Sequence, residues 1–152
     1  MLLRTHYVIA LFFIILFFGS VEHKVIFVVA VLVGTQLPDI DSRYSRIGHK
    51  SIARILQWFT RHRGIIHSFT FLIFLSVLLV LVFPPAVFGF FLGYGLQLLA
   101  DSFTPDGIQA FYPYKVKSRG PIRTGGNVEV GLFVGLLFVD IILILKLIIG
   151  IF

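Results

Sequence analysis

The sequence predicts an all-α membrane protein, a polytopic helical bundle that forms a single domain over residues 1–152. Hydrophobic residues make up 58% of the chain, and its mean hydropathy is +1.00. Charged residues make up only 13%, whereas a soluble domain carries about a quarter. So little polar surface cannot cover a water-soluble core, and the apolar side chains are therefore expected to meet lipid.

Five apolar segments are visible along the chain. The last, Val130–Ile149, is the only one with the roughly 20 residues that a full span needs. The first two are short, so they are expected to form a hairpin that thins the local bilayer or crosses it only in part. Pro84-Pro85 separates the third and fourth segments, because proline cannot continue a helix. The first four segments are Tyr7–Phe18, Val25–Leu37, Phe69–Phe83 and Ala86–Ala100.

Residues 51–60 predict a short interfacial amphipathic helix between the second and third segments. Apolar residues at 52, 55, 56 and 59 follow the i, i+3, i+4, i+7 spacing of one helix face. Arg54 and Arg61 flank this face, and Trp58 favours the headgroup layer. The alternative is an ordinary amphipathic helix packed on the protein.

The distribution of the net charge of +6 is more informative than its size. Apart from Lys24 and Lys146, every Lys and Arg lies at the N-terminus or in the loops after the second and fourth segments. By the positive-inside rule, this asymmetry predicts a multi-pass inner-membrane protein with the N-terminus and both polar loops in the cytoplasm. It also explains the basic balance without nucleic acid. The first segment is expected to be retained rather than cleaved, since residues 19–22 offer no clear signal-peptidase site.

Side chains of the kinds that bind metal lie at the ends of the apolar segments. An alternating up-and-down path would bring these ends to one side of the membrane, and a bound cation is the simplest reason for polar groups to gather there. The chain contains no cysteine, so any metal would be held by His, carboxylate or carbonyl oxygen. The groups are His6, Pro38 to Asp41, His62 to Ser68, and Asp101 to Thr104.

The carboxylates also have ordinary structural interpretations. Asp39 and Asp41 follow Pro38, which disfavours helical geometry before it and should end the second segment. In an extended stretch they would point to opposite sides, so one would bind and the other orient, or both would form a solvated helix end. Gln97 and Asp101 are four apart and share a helix face. A carboxylate at a helix C-terminus opposes the helix dipole, which favours a metal there, although an ion pair with an arginine is the alternative.

The histidines and two further acidic residues are interpreted in the same way. His62 and His67 bracket Arg63-Gly64, in which the arginine suits phosphate, but a loop histidine alone is usually a surface residue. Glu129 is either a ligand or a helix-starting carboxylate. Asp140 lies in the middle of the last segment, where a charge is costly, so it is expected to be protonated, paired with another helix, or part of an oligomer contact.

Four stretches of the chain together resemble the YdjM-like family of inner-membrane metal-dependent hydrolases. That family is remotely similar to zinc-dependent phospholipase C. The resemblance implies that His6, Asp39, His67 and Asp101 hold one or more divalent metal ions, with zinc favoured. It departs at Gln97, where the family has histidine, and a glutamine carbonyl is a weaker ligand than imidazole. The matching stretches are Thr5-His6, Leu37 to Ser42, His62 to Ser68, and Gly93 to Gly107.

These residues predict a membrane-bound metal-dependent hydrolase that acts on a phosphoester, such as a phospholipid headgroup at the cytoplasmic interface. Asp41 or Glu129 would accept a proton, and Arg63 would bind the phosphate together with Arg119 and Arg123. The predicted catalytic set is Asp41, His62, Arg63 and Glu129.

Two other classes stay open. One is a non-catalytic, metal-stabilised membrane scaffold or small transporter, which would use the same metal ligands to fix helix ends. The other is a module that binds anionic lipid through its arginine-rich loops. In every case membrane lipid is the expected environment, and in the first it is a possible substrate. A homo-oligomer is compatible with all three.

Overall fold

The computed structural model describes residues 1–41 and 65–150, and over these ranges the protein is helical, with no strand. A single isolated antiparallel bridge joins Ile108 and Ser118 there. The all-α class is therefore confirmed. Two short 3₁₀ helices cover Leu37–Asp41 and Pro84–Ala86. The five α-helices are α1 Leu3–Phe17, α2 Lys24–Gln36, α3 Phe69–Val82, α4 Val87–Ser102 and α5 Asn127–Ile149.

Each predicted apolar segment is one of these helices. The largest differences lie at the starts of α1 and α5, which begin at Leu3 and Asn127 rather than at Tyr7 and Val130. Polar residues therefore belong to the first turns of both helices. The prediction of an interfacial helix over residues 51–60 lies outside the described residues.

The prediction of an extended stretch around Asp39 is wrong. Pro38 follows the end of α2 and is the second residue of a 3₁₀ helix, in which proline is tolerated because its missing N–H has no helical partner at that position. Leu37, the residue before the proline, keeps helical dihedral angles of φ −59° and ψ −42°. The chain thus continues in the direction of α2 and carries Asp39 beyond the helix end.

Helix α4 occupies the centre of the bundle. Helices α1, α2 and α3 all pack against it, whereas α5 packs against α1 alone among the described helices. The contact between α2 and α4 is very close: a Cβ on Gly89 would lie 2.6 Å from the carbonyl oxygen of Phe27, and one on Gly93 would clash with the carbonyl oxygen of Val31. Only glycine lets these two backbones approach so far, and this approach fixes the end of α2 beside the end of α4.

Helix α5 is, within the described ranges, the one helix both long and apolar enough to cross a membrane. It has 23 residues, and its most apolar window has a mean hydropathy of 2.9. Leu3–Phe17 and Phe69–Val82 are shorter apolar helices. The number of helices that cross the membrane stays a prediction.

A candidate metal centre

Three ligand-type side chains meet where α2 ends, α3 begins and α4 ends. Asp39 lies in the 3₁₀ helix after α2, His67 lies two residues before α3, and Asp101 lies in the last turn of α4. One ligand atom from each lies within 4.8 Å of the others. We call these three residues the metal triad.

The distances from His67 and His6 to the neighbouring carboxylates suit a shared ion. His67 Nε2 lies 3.9 Å from Asp39 Oδ1 and 3.9 Å from Asp101 Oδ2, and His6 Nε2 lies 3.4 Å from Asp101 Oδ1. Zinc ligands lie about 2.0–2.2 Å from the metal, so two ligands of one ion are at most about 4.4 Å apart. The two separations from His67 and the one from His6 to Asp101 fall within this limit. One imidazole and two carboxylates, with the His6 imidazole beside Asp101, are donors that suit zinc and other first-row divalent ions.

Gln97 is a direct neighbour of the metal triad. It lies one turn before Asp101 on α4, and its side-chain Nε2 donates a hydrogen bond to Asp39 Oδ2 over 3.0 Å. The other amide atom, Gln97 Oε1, is buried and has no hydrogen-bond partner among the described residues. A buried oxygen of this kind is costly unless something binds it. The donor set of the site therefore includes an oxygen that is available to a cation.

Burial makes it costly to keep the carboxylates of the site ionised. The side chains of His67 and Asp101 are 1% and 3% exposed, whereas that of Asp39 is 27% exposed and forms the open side of the site. Burial raises the pKa of Asp39 above its ordinary value, and the negative charge of Asp101 raises it further, against the opposing influence of His6 and His67. The Met1 ammonium donates a hydrogen bond to Asp101 Oδ1 over 2.6 Å. Added positive charge would stabilise both carboxylates in their ionised form.

Two hydrogen bonds that the sequence did not predict hold the loop of His67. The Tyr94 hydroxyl donates to the carbonyl oxygen of Ile66 over 2.6 Å. Ser68 is the N-cap of α3, because its hydroxyl accepts a hydrogen bond from the Phe71 N–H. Tyr94 lies at i−3 from Gln97 and i−7 from Asp101, so the helical spacing of these polar residues was the signal that could have revealed it.

Glu129 joins the first turns of α1 and α5. Its carboxylate is buried and accepts hydrogen bonds from Leu2 N at 2.6 Å, Thr5 Oγ1 at 2.9 Å and Gly125 N at 2.6 Å. Thr5 immediately precedes His6. Glu129 therefore holds the helix turn that presents His6, and the part it takes in proton transfer stays a prediction.

The other predicted site residues are not brought into the metal triad by the described structure. Arg119 and Arg123 are exposed and lie in the loop between α4 and α5. The side chain of Asp41, and all of His62 and Arg63, lie outside the described residues. Their roles stay predictions.

Asp140 lies on α5, away from the predicted ligand groups. It is fully buried, and neither carboxyl oxygen has a hydrogen-bond partner among the described residues. It follows Glu129 by eleven residues, which is about 16 Å along a helix. The structure thus leaves it inside the apolar part of α5.

The fold and the site together define a protein that is helical over its described residues and has a membrane-length apolar helix and a candidate metal centre at one end of its bundle. The family model described as YdjM inner membrane protein matches residues 1–150, and the chain belongs to that family. The resemblance found in the sequence is thereby confirmed. A search of curated proteins and a search of solved structures each found no match.

Proposed function

We propose that the protein is a membrane-bound metal-dependent hydrolase that cleaves a phosphoester at the level of the lipid headgroups. The observation that carries the proposal is the convergence of Asp39, His67 and Asp101, with His6 beside them, at one end of an apolar bundle. A divalent ion held there would lower the pKa of a bound water and polarise a phosphoryl oxygen.

The side chains around the site either bind the ion or orient the residues that bind it. His6, Asp39, His67 and Asp101 hold the ion, and Gln97 orients Asp39 through its amide while offering its own oxygen. Two imidazole ligands with carboxylates favour zinc over magnesium or calcium, which prefer oxygen alone. Asp39 is the most exposed of the metal triad, so substrate approaches from its side.

The remaining predicted residues complete the proposed site. Arg63 binds the phosphate, and Arg119 and Arg123 close over it from the loop before α5, since guanidinium groups pair with phosphate in a bidentate way. Asp41 accepts the proton, with His62 beside it. The three hydrogen bonds of Glu129 favour a positioning role for it over proton transfer.

The proposed topology is five spans with the N-terminus and the metal centre on the cytoplasmic side. It is supported by five apolar helices and by the placement of the basic residues in the loops at the metal-centre end. The ends of α2, α3 and α4 that meet at the metal triad alternate in chain direction, as an up-and-down bundle requires.

The test is metal content and phosphodiester hydrolysis by the purified protein in detergent. His67→Ala is expected to lose both bound zinc and turnover, because it removes an imidazole ligand that is buried in the site. His23→Ala is the matched control, since His23 is exposed at the N-terminus of α2, at the opposite end of the bundle. Turnover by His67→Ala at the wild-type rate would refute the proposal.

A second candidate is the metal-stabilised scaffold or small transporter, and the observation that favours it is Asp140. A fully buried carboxyl without a hydrogen-bond partner among the described residues is typical of proton or partner sites inside membranes. This class binds metal as well, so metal analysis alone does not separate the two. Full zinc content in wild type without hydrolysis of any phosphoester supports the second class.

A further inference from the structure

An apolar groove lies over α4, between α2 and α3. Its volume is about 670 Å³, and every side chain that lines it is apolar. Val25, near the start of α2, lines one end, and Leu37, two residues before Asp39, lines the other. The groove thus extends along α2 from the far end of the bundle to Leu37, whereas its α3 side ends at Leu75, eight residues after His67.

The length of the groove matches one leaflet of a bilayer. From Val25 to Leu37 is twelve residues, or about 18 Å along a helix. The hydrocarbon core of a bilayer is about 30 Å thick, so the acyl chains of one leaflet fill about 15 Å. A lipid whose phosphate lies at the metal triad therefore has a chain of the right length to occupy the groove.

We propose that this groove binds an acyl chain of the substrate, and that the substrate is therefore a phospholipid or another long-chain phosphoester rather than a water-soluble one. The inference rests on the proposed function and specifies its substrate class. The groove offers no polar partner, so it can recognise only the hydrocarbon part of a ligand. The polar partners stand at its Leu37 end, where Asp39 begins the metal triad.

An acyl chain fits this groove better than a protein helix does. An acyl chain is thinner and flexible, and it fills an irregular channel without leaving polar backbone groups to satisfy. Binding of the acyl chain along α2 orients the substrate, because it holds the phosphate beside the metal triad.

The first experiment compares a long-chain phospholipid with its short-chain analogue in nonionic detergent. Val29→Trp places a bulky ring in the groove, and Val77→Trp is its control on α3, outside the groove lining. The two valines are 54% and 56% exposed. We expect Val29→Trp to lower the long-chain to short-chain ratio of kcat/KM by about tenfold, since even a 1 Å misplacement can cost about 10²-fold. We expect Val77→Trp to leave the ratio unchanged.

Equal hydrolysis of the two chain lengths by wild type would overturn the acyl-chain inference while leaving the hydrolase proposal intact. An identical ratio in the two tryptophan variants would do the same. Absence of any hydrolysis by wild type would refute the hydrolase proposal. Binding of an acyl chain in the groove is then tested by the second experiment alone.

The second experiment measures binding directly with a phospholipid that carries a photoreactive diazirine in its acyl chain. Cross-links are expected on α2 and α3 residues of the groove in wild type and in Val77→Trp, and to be reduced in Val29→Trp. A second copy of the chain is the competing occupant. Because the chain has no native cysteine, Val29→Cys tests it: disulfide-linked dimers with no lipid cross-link in the groove would overturn the inference.

Discussion

The resemblance implies a histidine at the position of Gln97, and the structure places the Gln97 side chain in contact with Asp39 of the metal triad. Its amide donates to Asp39 and its oxygen is buried without a hydrogen-bond partner among the described residues. An imidazole at this position would add a stronger ligand for zinc. A glutamine rather than a histidine here therefore bears on how strongly the candidate site would bind a metal ion.

We predict that Gln97→His raises zinc affinity by about ten- to a hundredfold, the range typical of changes around a metal site. Gln97→Leu should weaken zinc binding, because it removes both the oxygen and the hydrogen bond to Asp39. Competition with a chromogenic chelator measures both affinities. Equal affinities in the two variants would show that the side chain at position 97 does not reach the ion.

The residues that meet at the candidate site could be predicted from the sequence, but their hydrogen bonds could not. His6, Asp39, His67 and Asp101 stand in short motifs whose order and residue types indicate metal binding. The hydrogen bond from Gln97 to Asp39 joins residues 58 apart, and the one from Tyr94 to Ile66 joins residues 28 apart. Such partners depend on how the helices pack, which local spacing does not reveal.

At the scale of helices, the contact between α2 and α4 positions the metal triad. A Cβ on Gly93 would clash with the backbone of α2, whereas one on Gly95 would lie 3.7 Å from Leu72 Cδ2, an ordinary contact. We predict that Gly93→Ala destabilises the protein by about 1–3 kcal/mol, the usual cost of overpacking, and lowers its metal content. Gly95→Ala should leave both unchanged or raise stability slightly, since alanine favours helix.

Thermal unfolding in detergent, followed with metal analysis of the folded fraction, measures this difference. The two variants carry the same substitution on the same helix, so they differ only in what the new methyl group meets. Equal melting temperatures would show that α2 and α4 tolerate a wider spacing than the structure has.

The junction of α1 and α5 depends on Glu129. Glu129→Ala would leave the N–H groups of Leu2 and Gly125 without their acceptor, and each unsatisfied buried donor costs about 1–3 kcal/mol. Because Leu2 and Gly125 are partly exposed, we expect a total loss of about 2 kcal/mol of stability together with weaker metal retention through His6. Glu22→Ala, at an exposed position in the turn between α1 and α2, is the control.

Stability and metal content, measured on Glu129→Ala and Glu22→Ala, distinguish a positioning role of Glu129 from a role in proton transfer. A positioning role predicts that excess zinc restores turnover in Glu129→Ala. Turnover that stays absent at full zinc content would instead assign Glu129 to proton transfer.

Hydropathy predicted the five helices, since a lipid-facing helix needs a continuous apolar run. It misplaced the starts of α1 and α5, because Thr5, His6 and Glu129 are polar residues that are nevertheless buried inside the protein. The 3₁₀ helix at Pro38 was also missed. The rule that residues before proline avoid helical geometry is a preference, and packing of α2 against α4 overrides it at Leu37.

On the scale of the whole molecule, the residues of the metal triad and His6 lie together at one end of an apolar bundle. The starts of α1 and α5 and the end of α2 lie at the metal-centre end, so the turn between α1 and α2 lies at the other. The proposed topology turns this asymmetry into an orientation across the membrane. It places the metal centre in the cytoplasm, where a lipid of the inner leaflet would present its headgroup.

We predict that Ser20→Cys and Ser118→Cys react with a membrane-impermeant maleimide from opposite sides. Both serines are exposed, and the chain has no native cysteine to add background. Ser20 lies in the turn between α1 and α2, and Ser118 lies in the basic loop between α4 and α5. In right-side-out vesicles Ser20→Cys should react and Ser118→Cys should not; inverted vesicles should reverse the result, and detergent should allow both. Labelling of both from the cytoplasmic side would mean that the short α1–α2 hairpin does not cross, because helices of 15 and 13 residues are about 22 and 20 Å long against a hydrocarbon core of about 30 Å.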